Sequence, residues 1–174
     1  MTPHTPLARL WSFVEQRAAS LGWLQAAAQL AARWYVAAVF FRSGLTKLRD
    51  WDTTLALFAD EYHVPLLNPV VAAWLGTGAE LVLPVLLVFG LFGRFAALGL
   101  TVLNLVAVLS LMDVPDAALM GHMFWGCLLL ALLLWGPGRW SVDRFLIPRL
   151  RARVFGHHAG PVARHVIPEG AVRR

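Results

Sequence analysis

Four long apolar runs determine what this chain can fold into. They occupy residues 21–41, 69–92, 95–112 and 117–135. Their only charged side chains are Arg33 in the first run and Glu80 in the second. A helix rises about 1.5 Å per residue, so about 20 apolar residues are needed to cross a hydrocarbon core about 30 Å thick. The runs predict an all-α membrane protein that folds as a four-helix transmembrane bundle.

Composition argues against a soluble fold. Of the 174 residues, 59% are hydrophobic and 14% are charged, and the mean hydropathy is +0.63. A soluble protein of this size exposes too large a share of its surface to carry such a composition, and a bundle of buried helices would need amphipathic partners to cover it. The single cysteine, Cys127, excludes an intramolecular disulfide and any C-x-x-C redox or zinc pattern.

Positive charge is concentrated near the C-terminus. Residues 137–174 hold eight Arg against Asp143 and Glu169. We expect residues 147–174 to form a basic, flexible cytoplasmic tail that is attracted to anionic lipid. Nucleic acid is not indicated, because no interleaved aromatic residues accompany the arginines. The tail histidines match no closed metal site, and no metal ligand is predicted.

Two further segments precede and join the runs. Residues 1–20 are predicted to form a cytoplasmic amphipathic lead-in, since their charges interrupt any signal-peptide core. Between the first two runs, the helical spacing of Trp51, Leu55, Phe58 and Tyr62 predicts a short interfacial helix capped by Asp52. Asn68 is predicted to cap the second span.

The distribution of Lys and Arg predicts the orientation in the membrane. Arg94 in the second connection and the arginines of the tail favour one side, and the third connection holds no Lys or Arg. We therefore expect both termini in the cytoplasm and the chain in the bacterial inner membrane. Lys47 breaks the rule, and helical spacing places it on the same face of the first helix as Arg33. It is therefore predicted to line the bundle interior.

Charges inside a membrane need a compensating partner. An ionised side chain at the middle of a span costs about 2.5 to 3.5 kcal/mol, so Arg33 and Glu80 are predicted to face each other, with Lys47 nearby. One interpretation is an ion-pair cluster that fixes helix register. The other is a polar pocket in which Glu80 exchanges protons and Lys47 or Arg33 binds an anion or a quinone carbonyl, with Trp34 and Trp125 beside a flat ring.

His122 is a second candidate for proton chemistry. It lies early in the fourth apolar run and is the only ionisable group there. An intramembrane histidine can accept a proton from a quinol or ligate haem, but haem between helices usually takes two histidines. No other run contains one, and a packing role is the common alternative.

An ordered set of short motifs resembles the DoxX family of small bacterial membrane proteins over residues 28–146. The set comprises Arg33, Gly44-Leu-Thr-Lys47, Glu80, Gly93-Arg94 and Gly136-Pro137-Gly138-Arg-Trp-Ser-Val-Asp143. The resemblance implies a four-helix bundle in the cytoplasmic membrane. The family name comes from a thiosulfate:quinone oxidoreductase subunit, and other members accompany thiol-oxidative-stress or metal-stress systems.

Three functions are consistent with these features. The first is a membrane-embedded component of a redox or stress-response system, bound to a partner protein subunit. The second is an enzyme subunit that reduces quinone, which is the one cofactor the pocket suggests. The third is a carrier for a small solute or ion. The sequence leaves the catalytic residues and a homo-oligomeric state open. It predicts three segments: a lead-in over 1–20, a membrane domain over 21–146 and a tail over 147–174.

Overall fold

The computed structural model describes the backbone of residues 6–110 and 114–155, and side chains from residue 21 to residue 154 within those ranges. This part of the chain is all-helical and contains no strand. Its six helices are α1 (Pro6–Arg49), α2 (Trp51–Asp60), α3 (Pro69–Phe89), α4 (Gly93–Ser110), α5 (Asp116–Trp135) and α6 (Asp143–Phe155). The described residues up to Arg144 belong to one compact unit, and those from Phe145 onward belong to a second.

Three of the described helices, α3, α4 and α5, are long and apolar enough to cross a membrane. The predicted first span, residues 21–41, lies inside α1, which extends over 44 residues. That helix includes the predicted lead-in from Pro6 onward, and polar residues such as Gln25, Gln29 and Arg33 lower its hydropathy. The structure thus confirms an all-α protein with membrane-spanning helices, while the fourth span stays a prediction.

Local sequence explains where the apolar helices begin and end. Asn68 caps α3 as predicted, its side chain accepting a hydrogen bond from the Val70 amide at 2.9 Å, and Pro69 occupies the first helical position, where no amide donor is needed. Gly90 ends α3 with φ of 63°, a conformation that favours glycine. Gly136 ends α5, also with positive φ.

The predicted interfacial helix is present as α2, but two details differ. Its cap is Asp50 and not Asp52, because the Asp50 carboxylate accepts the Thr53 amide at 3.1 Å. This hydrogen bond lowers the pKa of the exposed Asp50 carboxyl. The apolar face of α2 also packs on α3, since Phe58 forms a buried cluster with Ala72 and Ala73. The helix is therefore part of the bundle.

The main core lies between α1, α3, α4 and α5. Its buried members are Val36, Phe40, Leu87, Ala96, Ala97, Leu100, Leu129 and Leu132. Many large apolar side chains on the same helices point outward instead, including Trp74, Val102, Met120 and Leu134. Outward apolar surface of this extent belongs to helices that are solvated by lipid.

The predicted basic tail begins inside α6, whose helix runs to Phe155. The part of the tail from residue 156 onward lies outside the described residues, as do the histidines at 157, 158 and 165.

Candidate functional site

An ion pair between α1 and α3 is the centre of the candidate site. Lys47 Nζ lies 2.7 Å from Glu80 Oε1 and 2.6 Å from Oε2. Lys47 also donates to Ser43 Oγ at 3.0 Å, and Ser43 donates to Glu80 Oε1 at 3.3 Å. The side chains of Lys47 and Glu80 are 15% and 11% exposed. These contacts satisfy both charges in a region of low water content.

Two features of α1 place Lys47 against Glu80. Ser43 and Lys47 are four residues apart and therefore lie one above the other on one face of the helix. Between them, Gly44 lets α1 approach α3 closely. A Cβ atom at Gly44 would lie 3.0 Å from the Leu81 side chain and 3.1 Å from Glu80 Cβ. A larger residue here would separate the helices and lengthen the ion pair.

A groove of about 500 Å³ adjoins the ion pair, between α3 and α4. Lys47 and Glu80 supply the charge in its lining, and most other lining residues are aliphatic or aromatic. The α3 and α4 side chains along it include Leu75, Ala79, Leu83, Phe95, Leu98, Gly99, Val102 and Val106. Several of these are exposed on the bundle surface, so the groove opens sideways to the lipid.

Helix register locates the charges along this groove. A Cβ atom at Gly99 would contact Leu83 at 2.7 Å, so these residues face each other across the antiparallel pair. Counting three residues back on α3 and three forward on α4 places Glu80 level with Val102. Beyond them, Phe58 of α2 contacts Gly76 and covers one end of the groove. The charges thus lie midway between the end lined by Phe58 and Tyr62 and the end lined by Leu83, Phe95 and Leu98.

Tyr62 lines the aromatic end. Its ring stacks on Phe58 with centroids 5.1 Å apart. Burial, and then the negative charges of Glu80 and Glu61, raise the pKa of the Tyr62 phenol. The hydroxyl therefore keeps its proton in neutral and moderately alkaline conditions, and is available as a hydrogen-bond donor close to the ion pair.

Arg33 does not join this site, which corrects the prediction that it faces Glu80. It precedes Lys47 by 14 residues on α1, about 21 Å along the helix axis. The side chain is fully buried, and its Nη2 donates to the Trp140 carbonyl at 2.6 Å. It lies against Gly90 at the end of α3, where the helix dipole favours a cation.

Comparison with known proteins decides the family. The DoxX family model matches residues 28–113, which include the Lys47–Glu80 pair and Gly44. An uncharacterized protein of Haemophilus influenzae is 34% identical over 126 residues, covering 67% of this chain and 82% of the relative. The chain belongs to the DoxX family. No solved structure matches it.

The motif after α5 in this DoxX chain forms a loop closed by Asp143. Its carboxylate accepts the backbone amides of Phe92 and Gly93, both at 2.8 Å. These are the first amides of α4, so Asp143 caps that helix from 50 residues away. Ser141 donates to the Gly138 carbonyl at 2.8 Å and fixes the turn.

The other motif residues hold the same loop in place. Pro137 lies against Gly93, where a Cβ atom would approach it to 2.6 Å. Arg94 donates to the Leu134 carbonyl at 3.3 Å. Gly136 and Gly138 both adopt positive φ. These residues hold the loop against the α3–α4 turn, and none of them is among the residues that line the groove.

His122 and Trp125 form a separate polar spot inside the bundle. His122 Nδ1 lies 2.8 Å from Asn104 Oδ1, and Asn104 donates to the His122 carbonyl at 2.9 Å. Trp125 packs edge-on against His122 and against Phe40. The histidine is thus hydrogen-bonded to α4 and does not line the groove.

Trp34 also lies apart from the ion pair. It is 59% exposed and lines a different, shallow cavity of about 300 Å³ between α1 and α3. Of the five residues predicted for a quinone pocket, the structure brings only Lys47 and Glu80 together. Within the described residues, no group of three or more His, Cys, Asp or Glu side chains is arranged to hold a metal ion.

Four residues of the site and its surroundings were not predicted from the sequence. Ser43 had a usable signal, its four-residue spacing from Lys47. Asn104 also had one, because an amide inside an apolar run needs a hydrogen-bond partner. Phe58 and Tyr62 were assigned to the membrane surface, and only the packing of α2 on α3 brings them to the groove.

Proposed function

We propose that this protein is a membrane-embedded component of a redox or stress-response system, and that its groove binds a quinone from the bilayer. The observation that carries the proposal is the Lys47–Glu80 pair halfway along a lipid-facing apolar groove. A buried charge pair beside an open apolar cavity suits a ligand with a polar head and an apolar tail.

The two ends of the groove match the two parts of such a ligand. At one end, Phe58 and Tyr62 offer aromatic surface and a phenol near the charges, which suits a flat ring with carbonyl oxygens. At the other end, Leu83, Leu98 and Phe95 offer an apolar path. From Val102, level with Glu80, to Phe95 the lining runs along α4 for seven residues, about 10 Å, which accommodates the first part of a prenyl chain.

The charges also suit quinone chemistry. Lys47 is placed to donate a hydrogen bond to a quinone carbonyl, which favours the negative charge that develops there on reduction. Reduction of a quinone to a quinol takes up two electrons and two protons. Glu80 and Tyr62 are groups that can exchange those protons, while the electrons come from a partner protein or a soluble donor such as thiosulfate.

The membrane and partners belong to the same proposal. A quinone pool is reached from the bacterial cytoplasmic membrane, and the distribution of Lys and Arg favours cytoplasmic termini. We therefore propose an inner-membrane location and a redox partner protein that docks on this chain. Whether the chain binds quinone for a partner or is itself a quinone-reducing subunit depends on the electron donor.

Binding of decylubiquinone to the purified protein in nanodiscs tests the proposal. Val102→Trp places an indole in the groove at the level of Glu80, and we expect it to weaken binding at least tenfold, equivalent to about 1.4 kcal/mol. Val85→Trp is the matched control, because Val85 is similarly exposed but lines the separate cavity beside Trp34.

Equal binding by both variants and the parent protein would remove the groove as the quinone site. If Val102→Trp alone loses binding, quinone reduction by thiosulfate is then measured with and without co-purified subunits. Activity in the isolated chain favours an enzyme subunit, and strict dependence on a second protein favours a membrane-embedded component.

A further inference from the structure

Helix α6 carries an apolar stripe bordered by arginine on both sides. At 3.6 residues per turn, Leu146, Ile147, Leu150 and Val154 fall within a sector of about 100°, the width typical of a buried helix face. All four are at least partly exposed. Arg144 and Arg151 lie along one edge of this stripe, and Arg149 and Arg153 lie along the other. Asp143 falls on the stripe side in the first turn, and Ala152 lies opposite the centre of the stripe, beside the exposed Phe145.

This arrangement fits a membrane surface better than a water-exposed helix. Arginine side chains at the edges of an apolar stripe bury their aliphatic stems and extend their guanidinium groups to the headgroup level. Within α6, Asp143 is the only acid, and its carboxylate is already bound to the α4 amides. The charge left on the helix is therefore positive and complementary to anionic phosphate.

The start of α6 is also fixed at the right depth. Asp143 is bound to the amides of Phe92 and Gly93, at the turn where two apolar spans, α3 and α4, end and begin. This end of the bundle carries aromatic residues typical of the membrane interface. The rings of Trp23 and Trp140 pack together there with centroids 5.9 Å apart. The chain thus enters α6 at the boundary between hydrocarbon and headgroups.

We propose that α6 lies along the membrane surface, with its Leu146–Ile147–Leu150–Val154 stripe at the acyl boundary and its flanking arginines bound to the phosphates of anionic phospholipids. The proposal is independent of quinone binding. It assigns the helix a lipid-recognition function, which makes the position of α6 sensitive to the anionic lipid content of the leaflet.

Face-specific quenching in nanodiscs tests the proposal on the full chain. In a Cys127→Ser background, a bimane label is attached at Val154→Cys in the stripe or at Ala152→Cys on the opposite face. The nanodiscs contain phosphatidylcholine, with or without phosphatidylglycerol, and lipids that carry a nitroxide near the headgroup. We expect strong quenching at position 154, weak quenching at 152, and a larger difference with phosphatidylglycerol.

Charge variants separate phosphate binding from simple partitioning. Each arginine near an anionic surface contributes about fivefold to the docked-to-undocked ratio, so Arg149→Gln/Arg153→Gln is expected to lower it about 25-fold in phosphatidylglycerol. Arg144→Gln/Arg151→Gln removes the other flank and is expected to act alike. The control, Arg42→Gln/Arg49→Gln, removes two exposed charges from α1 and leaves quenching unchanged.

Three outcomes would overturn the proposal. Equal quenching at positions 152 and 154 would refute an apolar face on the membrane. Absence of quenching in both lipid mixtures would refute membrane binding by α6 and point to a protein partner instead. Equal quenching at 154 with and without phosphatidylglycerol, unaffected by the arginine variants, would refute phosphate binding.

Discussion

Removing Lys47 leaves the Glu80 carboxylate in its place without a cation. Both side chains are largely buried, at 15% and 11% exposure, and the one other hydrogen bond to the carboxylate within the described residues comes from Ser43 at 3.3 Å. Breaking a buried ion pair from one side typically costs about 3 to 5 kcal/mol. In Lys47→Met we therefore expect the free energy of unfolding to fall by an amount in this range.

Uptake of a proton by Glu80 reduces that loss. A neutral carboxyl costs less to bury than a carboxylate without a cation, so the loss in Lys47→Met is expected to be largest at neutral pH and to shrink as the pH falls.

The double variant Lys47→Met/Glu80→Leu removes both charges. Apolar replacement of a buried ion pair is often neutral or stabilising, so we expect stability within about 1 kcal/mol of the parent protein. With the single variants Lys47→Met and Glu80→Leu completing the cycle, the loss in the double variant should be smaller than the sum of the two single losses. The measurement is unfolding in mixed dodecyl sulfate and maltoside micelles, monitored by far-ultraviolet circular dichroism. Arg42→Gln removes an exposed cation next to Ser43 in the sequence; it is the control and should change stability by less than about 0.5 kcal/mol.

The cycle also separates the two interpretations of the ion pair. Additive losses, with coupling near zero, would refute a paired Lys47 and Glu80. If the double variant is stable and still binds decylubiquinone, the pair serves only to fix helix register. If it is stable but no longer binds the quinone, the charges act on the ligand.

Two further predictions concern other parts of the chain. Asp143→Asn replaces one of the two carboxylate oxygens that accept amides at the start of α4. This costs about 1.5 to 3 kcal/mol, so Tm should fall by about 3 to 12 °C. The control is Asp116→Asn, which changes an exposed acid in the first turn of α5; equal Tm values for the two variants would contradict the cap. In a Tyr35→Phe background, near-ultraviolet absorbance should show Tyr62 ionising above its ordinary pKa of about 10, and Glu80→Gln should move that pKa down. Because the folded-state pKa of Tyr62 is raised, the packing of α2 is fully stabilised below pH 10 and weakens as the pH rises through the Tyr62 pKa. If Tyr62 ionises at its ordinary pKa both with Glu80 and in Glu80→Gln, its buried position near Glu80 is contradicted.

Features encoded within a few residues were predictable. Hydropathy over 18 to 20 residues located α3, α4 and α5, and the local chemistry of Asn68 gave the start of α3. The cap of α2 shows that local sequence does not always identify the capping residue. Asp50 and Asp52 are equally good capping residues, and the choice depends on which one meets a free amide in the folded backbone.

Contacts between distant residues were not predictable in the same way. Arg33 and Lys47 lie on one face of α1, and the sequence does not specify the axial offset between α1 and α3, which decides which cation meets Glu80. Close approach at Gly44 sets that offset. The cap on α4 required Asp143 to return from 50 residues away, a relation that no local pattern contains.

The two cations of α1 are stabilised in different ways, and the difference indicates where chemistry is possible. Arg33 is fully buried beneath the loop after α5, donates to a backbone carbonyl and lies against the end of α3. Neither partner titrates, and no cavity described in the structure reaches the guanidinium. Lys47 is paired with a carboxylate that can gain or lose a proton, and both line a groove open to lipid. A ligand from the bilayer therefore meets the Lys47–Glu80 pair, while Arg33 keeps the α3–α4 turn and the loop that closes on it in register.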